Sequence, residues 1–93
     1  GGSAALVHRS PDGKRVAVVN REQGSFDYTY EFDEFLFVLS GRARVRVVGG
    51  DAFVLKKGDV AYFVKGTSVH FDVDKGFSDA TMLMSDDVPV DWK

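Results

Sequence analysis

Tyr28, Tyr30 and Glu34 are the residues of this sequence whose types and spacing most clearly suggest chemistry. Side chains two positions apart on an extended strand point to the same face, so the two phenols should lie together. Glu34 follows after a predicted bend, and we expect its carboxyl group to join them. Phenols can donate hydrogen bonds to a polar ligand. A carboxyl group buried among aromatic rings has a raised pKa, which suits it to proton transfer and makes Glu34 the candidate catalytic residue.

The same three residues also have a purely structural interpretation, in which the phenols satisfy a buried carboxylate by hydrogen bonding. Phe63, His70 and Phe71 complete the predicted ligand-binding set. The two Phe residues serve as pocket wall or core. His70 would face the pocket only if a bulge shifts the strand register by one residue, because simple alternation with its neighbours places it outside.

Short segments rich in Val, Phe and Tyr alternate with glycine-containing turn signals, and this rhythm predicts an all-β fold. The predicted strands are 4–9, 14–20, 26–31, 34–40, 42–48, 52–55, 60–64, 69–73 and 78–84. The first two should form a hairpin around Pro11-Asp12-Gly13. No stretch keeps a 3.6-residue apolar period, so we expect no helix.

Two segments indicate which strand faces turn inward. Within 42–47, strict alternation predicts that Ala43, Val45 and Val47 point inward and that the three Arg residues point outward. The segment 35–39 is apolar at every position, so one of its faces fills the barrel and the other needs a cover. A second subunit is the natural cover, and we therefore predict a homodimer. The tail after Ser85 is predicted to be irregular, with Trp92 docking on the barrel or on a neighbouring subunit.

Length and composition restrict the possible classes of function. The chain has 93 residues, which suits one domain over 1–93, with residues 1–3 set aside as a cloning remnant. A formal net charge of −2 argues against nucleic acid as a partner. No apolar run approaches the roughly 20 residues that cross a bilayer, so no membrane interaction is predicted. The absence of cysteine excludes disulfides and thiolate chemistry, and we expect a cytoplasmic location.

Residues 24–71 resemble the cupin family in strand rhythm and motif spacing. The first cupin motif reads His-x-His, three or four residues, Glu, six residues and Gly. Here Tyr28-Thr29-Tyr30 occupies the His-x-His place, and Glu34 and Gly41 follow at the family spacing. The resemblance implies a double-stranded β-helix, a jelly-roll barrel with an internal pocket.

The second cupin motif reads Gly, five residues, Pro-x-Gly, two residues and His. Here Gly58 leads to Val64-Lys65-Gly66, and Val69 occupies the histidine position. The sequence looks most like the small single-domain branch that includes ethanolamine-utilisation-type and ureidoglycine-processing proteins.

The family's metal site, three imidazoles and one carboxylate, is not kept in this sequence. Tyr28, Tyr30 and Val69 stand at the histidine positions, and only Glu34 retains the family's ligand type. A neutral phenol is a poor metal ligand because its pKa lies near 10. We therefore predict no complete metal site and no cofactor.

Three functions from different classes stay open. The first is a cupin that binds a small polar molecule in the barrel pocket, with or without a modest metal-independent activity. The second is a metal-dependent enzyme with an atypical site made by Glu34 and His70. The third is an accessory or interaction domain whose barrel is filled by its own side chains. An open cavity beside Glu34 would favour the first function, and a closed interior would favour the third.

Overall fold

The structure is a computed structural model that describes residues 2–91, and these residues form seven strands. The strands are β1 (Ser3–Arg9), β2 (Arg15–Thr29), β3 (Asp33–Ser40), β4 (Arg42–Val47), β5 (Ala52–Lys56), β6 (Val60–Phe63) and β7 (Ser68–Met84). Every pairing between them is antiparallel. Within the described range there is no helix long and apolar enough to cross a membrane. The predicted docking of Trp92 lies outside the described residues.

Two long strands, β2 and β7, take part in both layers of the barrel. The first layer has the strand order β1-β2-β7-β3-β6. The second layer joins the last part of β2 and the first part of β7 to β4, which in turn pairs with β5. The two layers close on one another as a jelly-roll barrel, so the predicted fold class is confirmed. Ser3, set aside as a remnant, is the first residue of β1.

Glycines let β2 and β7 bend from one layer into the other without ending. The pairing register between these strands shifts between Glu22 and Gly24. Gly24 and Gly76 have φ angles of 98° and 92°, values that glycine adopts without a steric penalty. Such a bulge kinks a strand and strengthens its twist. The strand breaks predicted between 20 and 26 and between 73 and 78 are therefore wrong, and nine predicted strands become seven.

The barrel interior is apolar and continuous across the two layers. Leu36 and Val38 of β3 pack in one buried cluster with Ala43 and Val45 of β4. The alternation predicted for 42–47 is confirmed, because Ala43 and Val45 are buried and the three Arg residues are exposed.

The described part of the irregular tail packs against β2. Val90 is buried against Val16 and Val18. Its backbone N–H donates a hydrogen bond of 2.8 Å to the carbonyl oxygen of Gly13, in the turn between β1 and β2. Residues 86–91 of the tail are irregular as predicted, and the hydrogen bond from Val90 ties them to the β1–β2 hairpin.

The outer surface of the first layer is apolar around β3. Phe35 and Phe37 are exposed, and they pair across strands with Tyr62 and Val60 of β6. On the other side, Phe35 pairs with Met82 of β7, which is also exposed. The apolar character predicted for both faces of segment 35–39 is therefore confirmed. The homodimer that it suggested stays a prediction.

Candidate functional site

A cavity of about 250 Å³ lies between the two layers of the barrel. Its walls come from β2, β3, β5, β7 and the segment after β2. Its ionisable lining residues are carboxylic acids and phenols, namely Glu22, Tyr28, Tyr30, Glu34 and Asp79. Of the residues described, no lysine, arginine or histidine lines this cavity. The site is therefore acidic and aromatic.

The structure brings Tyr28, Tyr30 and Glu34 together on the cavity wall. Tyr28 lies near the C-terminal end of β2. Its ring contacts that of Tyr30 edge to face, with centroids 4.7 Å apart. Backbone hydrogen bonds hold Tyr30 against the loop before β7, because its N–H donates to Thr67 and its carbonyl accepts from Gly66. The short bend then leads into β3, whose alternation turns Glu34 inward with Leu36.

The carboxyl group of Glu34 has no hydrogen-bond partner among residues 2–91, although the side chain is largely buried. Burial, with a smaller contribution from the charge of Asp79, raises its pKa to about 8. Tyr30 is only 3% exposed, and its hydroxyl also lacks a hydrogen-bond partner within the described part of the chain. Burial raises the pKa of Tyr30 as well, with the nearby Glu34 contributing. No fully enclosed side-chain nitrogen or oxygen atom of the described residues lacks a hydrogen-bond partner, so these two polar groups are reached from the cavity and have unused hydrogen-bonding capacity there.

Asp79 is the main site residue that the sequence analysis missed. It lies on β7 and is buried, and its Oδ1 accepts hydrogen bonds from Asn20 Nδ2 at 3.0 Å and from Thr81 Oγ1 at 3.2 Å. Burial raises its pKa, and the two hydrogen bonds partly oppose that shift. The signal was present in the sequence, because Phe77, Asp79, Thr81 and Leu83 alternate and share the inward face.

Glu22 and Tyr28 are less deeply placed than Glu34 and Asp79. Tyr28 is 40% exposed and Glu22 is half-buried, so these two side chains lie where the cavity reaches solvent. Burial is the largest cause of a raised pKa in both residues. The acidity of the cavity therefore extends from its floor to its mouth.

Of the two predicted phenylalanines, Phe71 is at the cavity and Phe63 is not. Phe71 lines the cavity. Phe63 is buried behind Tyr30, where the two rings stack with centroids 4.6 Å apart, and it does not line the cavity. Phe63 thus positions Tyr30 rather than presenting a surface to a ligand.

The prediction that His70 lines the pocket is wrong. β7 has no bulge between Ser68 and Val73, so alternation keeps Val69 inside and turns His70 to the outer surface. There His70 Nδ1 lies 2.7 Å from Asp27 Oδ1, and Nε2 lies 3.4 Å from Asp72 Oδ1. The hydrogen bond with Asp27 is the main cause of a raised pKa of His70.

The residues at the family's metal-ligand positions do not fit a metal ion. Val69 is buried and apolar, the Tyr30 phenol has a raised pKa, and only Glu34 supplies a carboxylate. His70 cannot join Glu34, because it lies on the opposite face of the barrel wall. Among residues 2–91, no group of three or more His, Asp or Glu side chains is arranged to hold a metal ion. The atypical Glu34–His70 metal site is therefore wrong.

Comparison with known proteins agrees with this architecture. Residues 10–78 match the family described as the EutQ-like cupin domain. This match confirms the resemblance found in the two cupin motifs. No curated protein sequence matches the chain significantly.

Several solved structures share the fold. A putative ethanolamine utilization protein, EutQ, from Salmonella typhimurium LT2 is 25% identical, with a TM-score of 0.76 over 89% of this chain and 68% of its own. EutQ from Clostridium difficile is 19% identical, with a TM-score of 0.79 over 98% of this chain and 64% of its own. The Schizosaccharomyces pombe Cnp3 cupin domain, at 14% identity, has a TM-score of 0.76 over 91% of this chain and 65% of its own. The chain thus spans about two thirds of the length of these proteins.

Proposed function

The chain belongs to the EutQ-like cupin family, and we propose that it uses the barrel cavity of this fold to bind a small polar molecule beside Glu34. One observation carries the proposal. The carboxyl group of Glu34 and the hydroxyl of Tyr30 both face a cavity of about 250 Å³ without a hydrogen-bond partner among the described residues. Polar groups that open into a largely apolar cavity gain from a hydrogen-bond partner, so a ligand that pairs with both would be stabilised here.

The size of the cavity supports a small ligand. A volume of about 250 Å³ lies just below the roughly 300–1,000 Å³ of pockets that hold drug-sized molecules. The open space beside Glu34 also favours ligand binding over an accessory domain with a filled barrel.

Glu34 is the group that would exchange a proton with the bound molecule. With a pKa of about 8, its carboxyl group is mostly protonated at neutral pH yet close enough to its pKa to give up the proton. Asp79 contributes by opposing the charge of Glu34, and Asn20 and Thr81 hold Asp79 in place. The proposed proton exchange uses the Glu34 carboxyl group itself and does not involve a metal ion.

The proposal is tested by screening a library of small polar metabolites for changes in the backbone amide NMR spectrum. We expect at least one member to shift amides of the cavity wall, on β2, β3 and β7. Glu34→Gln keeps the shape of the side chain but removes the exchangeable proton, and it should weaken that binding by about tenfold, since a ligand group left without its hydrogen-bond partner costs roughly 1–3 kcal/mol.

Glu31→Gln is the matched control, because Glu31 is exposed in the bend three residues earlier and does not line the cavity. Its affinity should equal that of the parent. A library in which no compound shifts cavity amides, or in which both variants bind as the parent does, would contradict the proposed function.

A further inference from the structure

We propose that the ligand of this cavity is a small organic cation that carries a hydroxyl or carbonyl oxygen. Its positive charge would lie between the carboxyl groups of Glu34 and Asp79, and its oxygen would accept a hydrogen bond from Tyr30. This inference rests on the proposed function and specifies the chemical class of the ligand.

The charge of the cavity lining supports the cationic class. Three strands each contribute one carboxyl group, Glu22 from β2, Glu34 from β3 and Asp79 from β7. None of these groups forms an ion pair with a basic side chain of the described residues, and no basic side chain lines the cavity. A carboxylate buried in an apolar wall needs an opposite charge. A cation would supply that charge and favour ionisation of the carboxyl groups, whereas an anionic ligand would disfavour their ionisation and be repelled by any that are charged.

The aromatic walls independently favour the same class. Phe26, Tyr28, Tyr30 and Phe71 all line the cavity. The faces of aromatic rings attract cations, and this attraction strengthens where water is excluded. An aromatic lining combined with carboxyl groups therefore stabilises an ammonium ion through both electrostatic effects.

The hydroxyl of Tyr30 sets the second requirement. Tyr30 is only 3% exposed, and its ring is held by stacking on Phe63. The hydroxyl must donate its hydrogen bond into the cavity, because the described residues offer it no acceptor. The hydroxyl donates to neither Glu34 nor Asp79 in the structure, so we assign the acceptor to an oxygen of the ligand.

The pH dependence of binding follows from the titratable groups that line the cavity with Glu34, which are Asp79 on the neighbouring strand β7, Glu22 on β2 and the two phenols. A cation binds most tightly when the carboxyl groups are ionised. Because the pKa of Glu34 lies at about 8 and those of Asp79 and Glu22 are also raised, cation affinity should increase as the pH rises through neutrality. A neutral ligand that accepts a hydrogen bond from protonated Glu34 would show the opposite trend.

The test compares choline with 3,3-dimethyl-1-butanol, which has the same shape and hydroxyl group but no charge, and with propionate as an anion. Binding is followed by the cavity amide signals of the intact protein up to the solubility limit of each probe. We expect choline to bind about tenfold or more tightly than the neutral isostere, and propionate not to bind. Choline affinity should rise from about pH 6 to about pH 9.

Variants distinguish the source of the effect. Asp79→Asn and Glu34→Gln should each abolish most of the preference for choline over the isostere, and Glu31→Gln should keep it. Equal binding of the isostere or propionate in the cavity would overturn the cationic class while leaving the proposed function intact. Failure of all three probes to shift cavity amides would also overturn the cationic class. The proposed function itself fails only if the metabolite library gives no cavity shifts either.

Discussion

At the scale of single residues, the fold buries the carboxyl group of Glu34, which suits proton exchange but makes ionisation of this group destabilising. Its carboxyl group is surrounded by aromatic and aliphatic walls, and Asp79 adds a second negative charge nearby. Both effects favour the protonated carboxyl group, so ionisation of Glu34 must weaken the folded state. This penalty gives a measurable signature that does not depend on knowing the ligand.

Glu34→Gln should flatten the dependence of stability on pH. Below about pH 4.5 the Glu34 carboxyl is protonated in both the folded and unfolded chain. Between this ordinary pKa and the folded pKa of about 8, only the folded chain keeps the proton, so the free energy of unfolding falls as the pH rises. We expect the variant to exceed the parent by on the order of 2–4 kcal/mol at about pH 9, with little difference at about pH 4.

Urea unfolding at several pH values measures this effect. Glu31→Gln serves as the control for loss of a carboxyl group, because Glu31 is exposed and does not line the cavity. Parallel profiles for the parent and Glu34→Gln would show that Glu34 is not buried in its protonated form.

Single residues also mark how far the sequence could predict the site. The shared placement of Tyr28, Tyr30 and Glu34 follows from local alternation and one bend, and the structure shows it. Asp79 was not predicted, because its proximity to Glu34 depends on β7 pairing with β3 over more than 40 residues of chain. His70 was assigned to the pocket only by assuming a bulge, and the actual bulge lies further along β7.

At the scale of elements, glycines with positive φ have two different structural roles in this fold. Gly41 makes the tight turn between β3 and β4, whereas Gly24 and Gly76 bend continuous strands. The local requirement for positive φ is the same in each case, which is why the predicted strands are interrupted at all three positions. Only the long-range pairing of β2 with β7 distinguishes a bulge from a chain reversal.

Gly41→Ala should be much more destabilising than Gly49→Ala, although both glycines have similar φ angles of 78° and 75°. A methyl group on Gly41 would lie 2.6 Å from the Cα atom of Phe77, whereas one on Gly49 meets nothing within 4 Å. We expect losses on the order of 3–5 kcal/mol for Gly41→Ala and about 1–2 kcal/mol for Gly49→Ala.

Chemical denaturation of the two variants provides the measurement. The comparison isolates the close approach of backbone, because the conformational penalty is common to both substitutions. Equal losses would indicate that the contact between Gly41 and Phe77 relaxes without cost.

At the scale of the whole molecule, the two outer faces of the barrel differ in character. The outer face of the second layer carries charged groups, such as Arg44, which pairs with Asp74 at 3.0 Å, and His70, which lies between Asp27 and Asp72. The outer face of the first layer presents Phe35, Phe37 and their cross-strand partners Val60, Tyr62 and Met82. Water solvates the charged face of the second layer well and the apolar face of the first layer poorly, so association should use the apolar face.

A second copy of this chain is the partner that we expect on the apolar face. In a two-fold symmetric contact the same patch meets itself, so a net charge on the patch would be repelled by its copy. The central positions of β3, β6 and β7 on this face are uncharged, which makes the patch compatible with itself. The second face carries charged groups, such as Arg44 and Asp74, that a dimer contact would have to desolvate at a cost.

Phe37→Lys should therefore convert a dimer into a monomer at micromolar concentration, with dimerisation weakened by about a hundredfold or more, because an unpaired charge would be buried. Val54→Lys is the matched control: Val54 is 46% exposed, close to the 42% of Phe37, and lies on β5 in the other layer. Sedimentation equilibrium gives the association constant, and the thermal unfolding curve verifies that each variant folds. A parent protein that stays monomeric, or equal losses in both variants, would refute the homodimer, since only an interface centred on β3 separates the two substitutions.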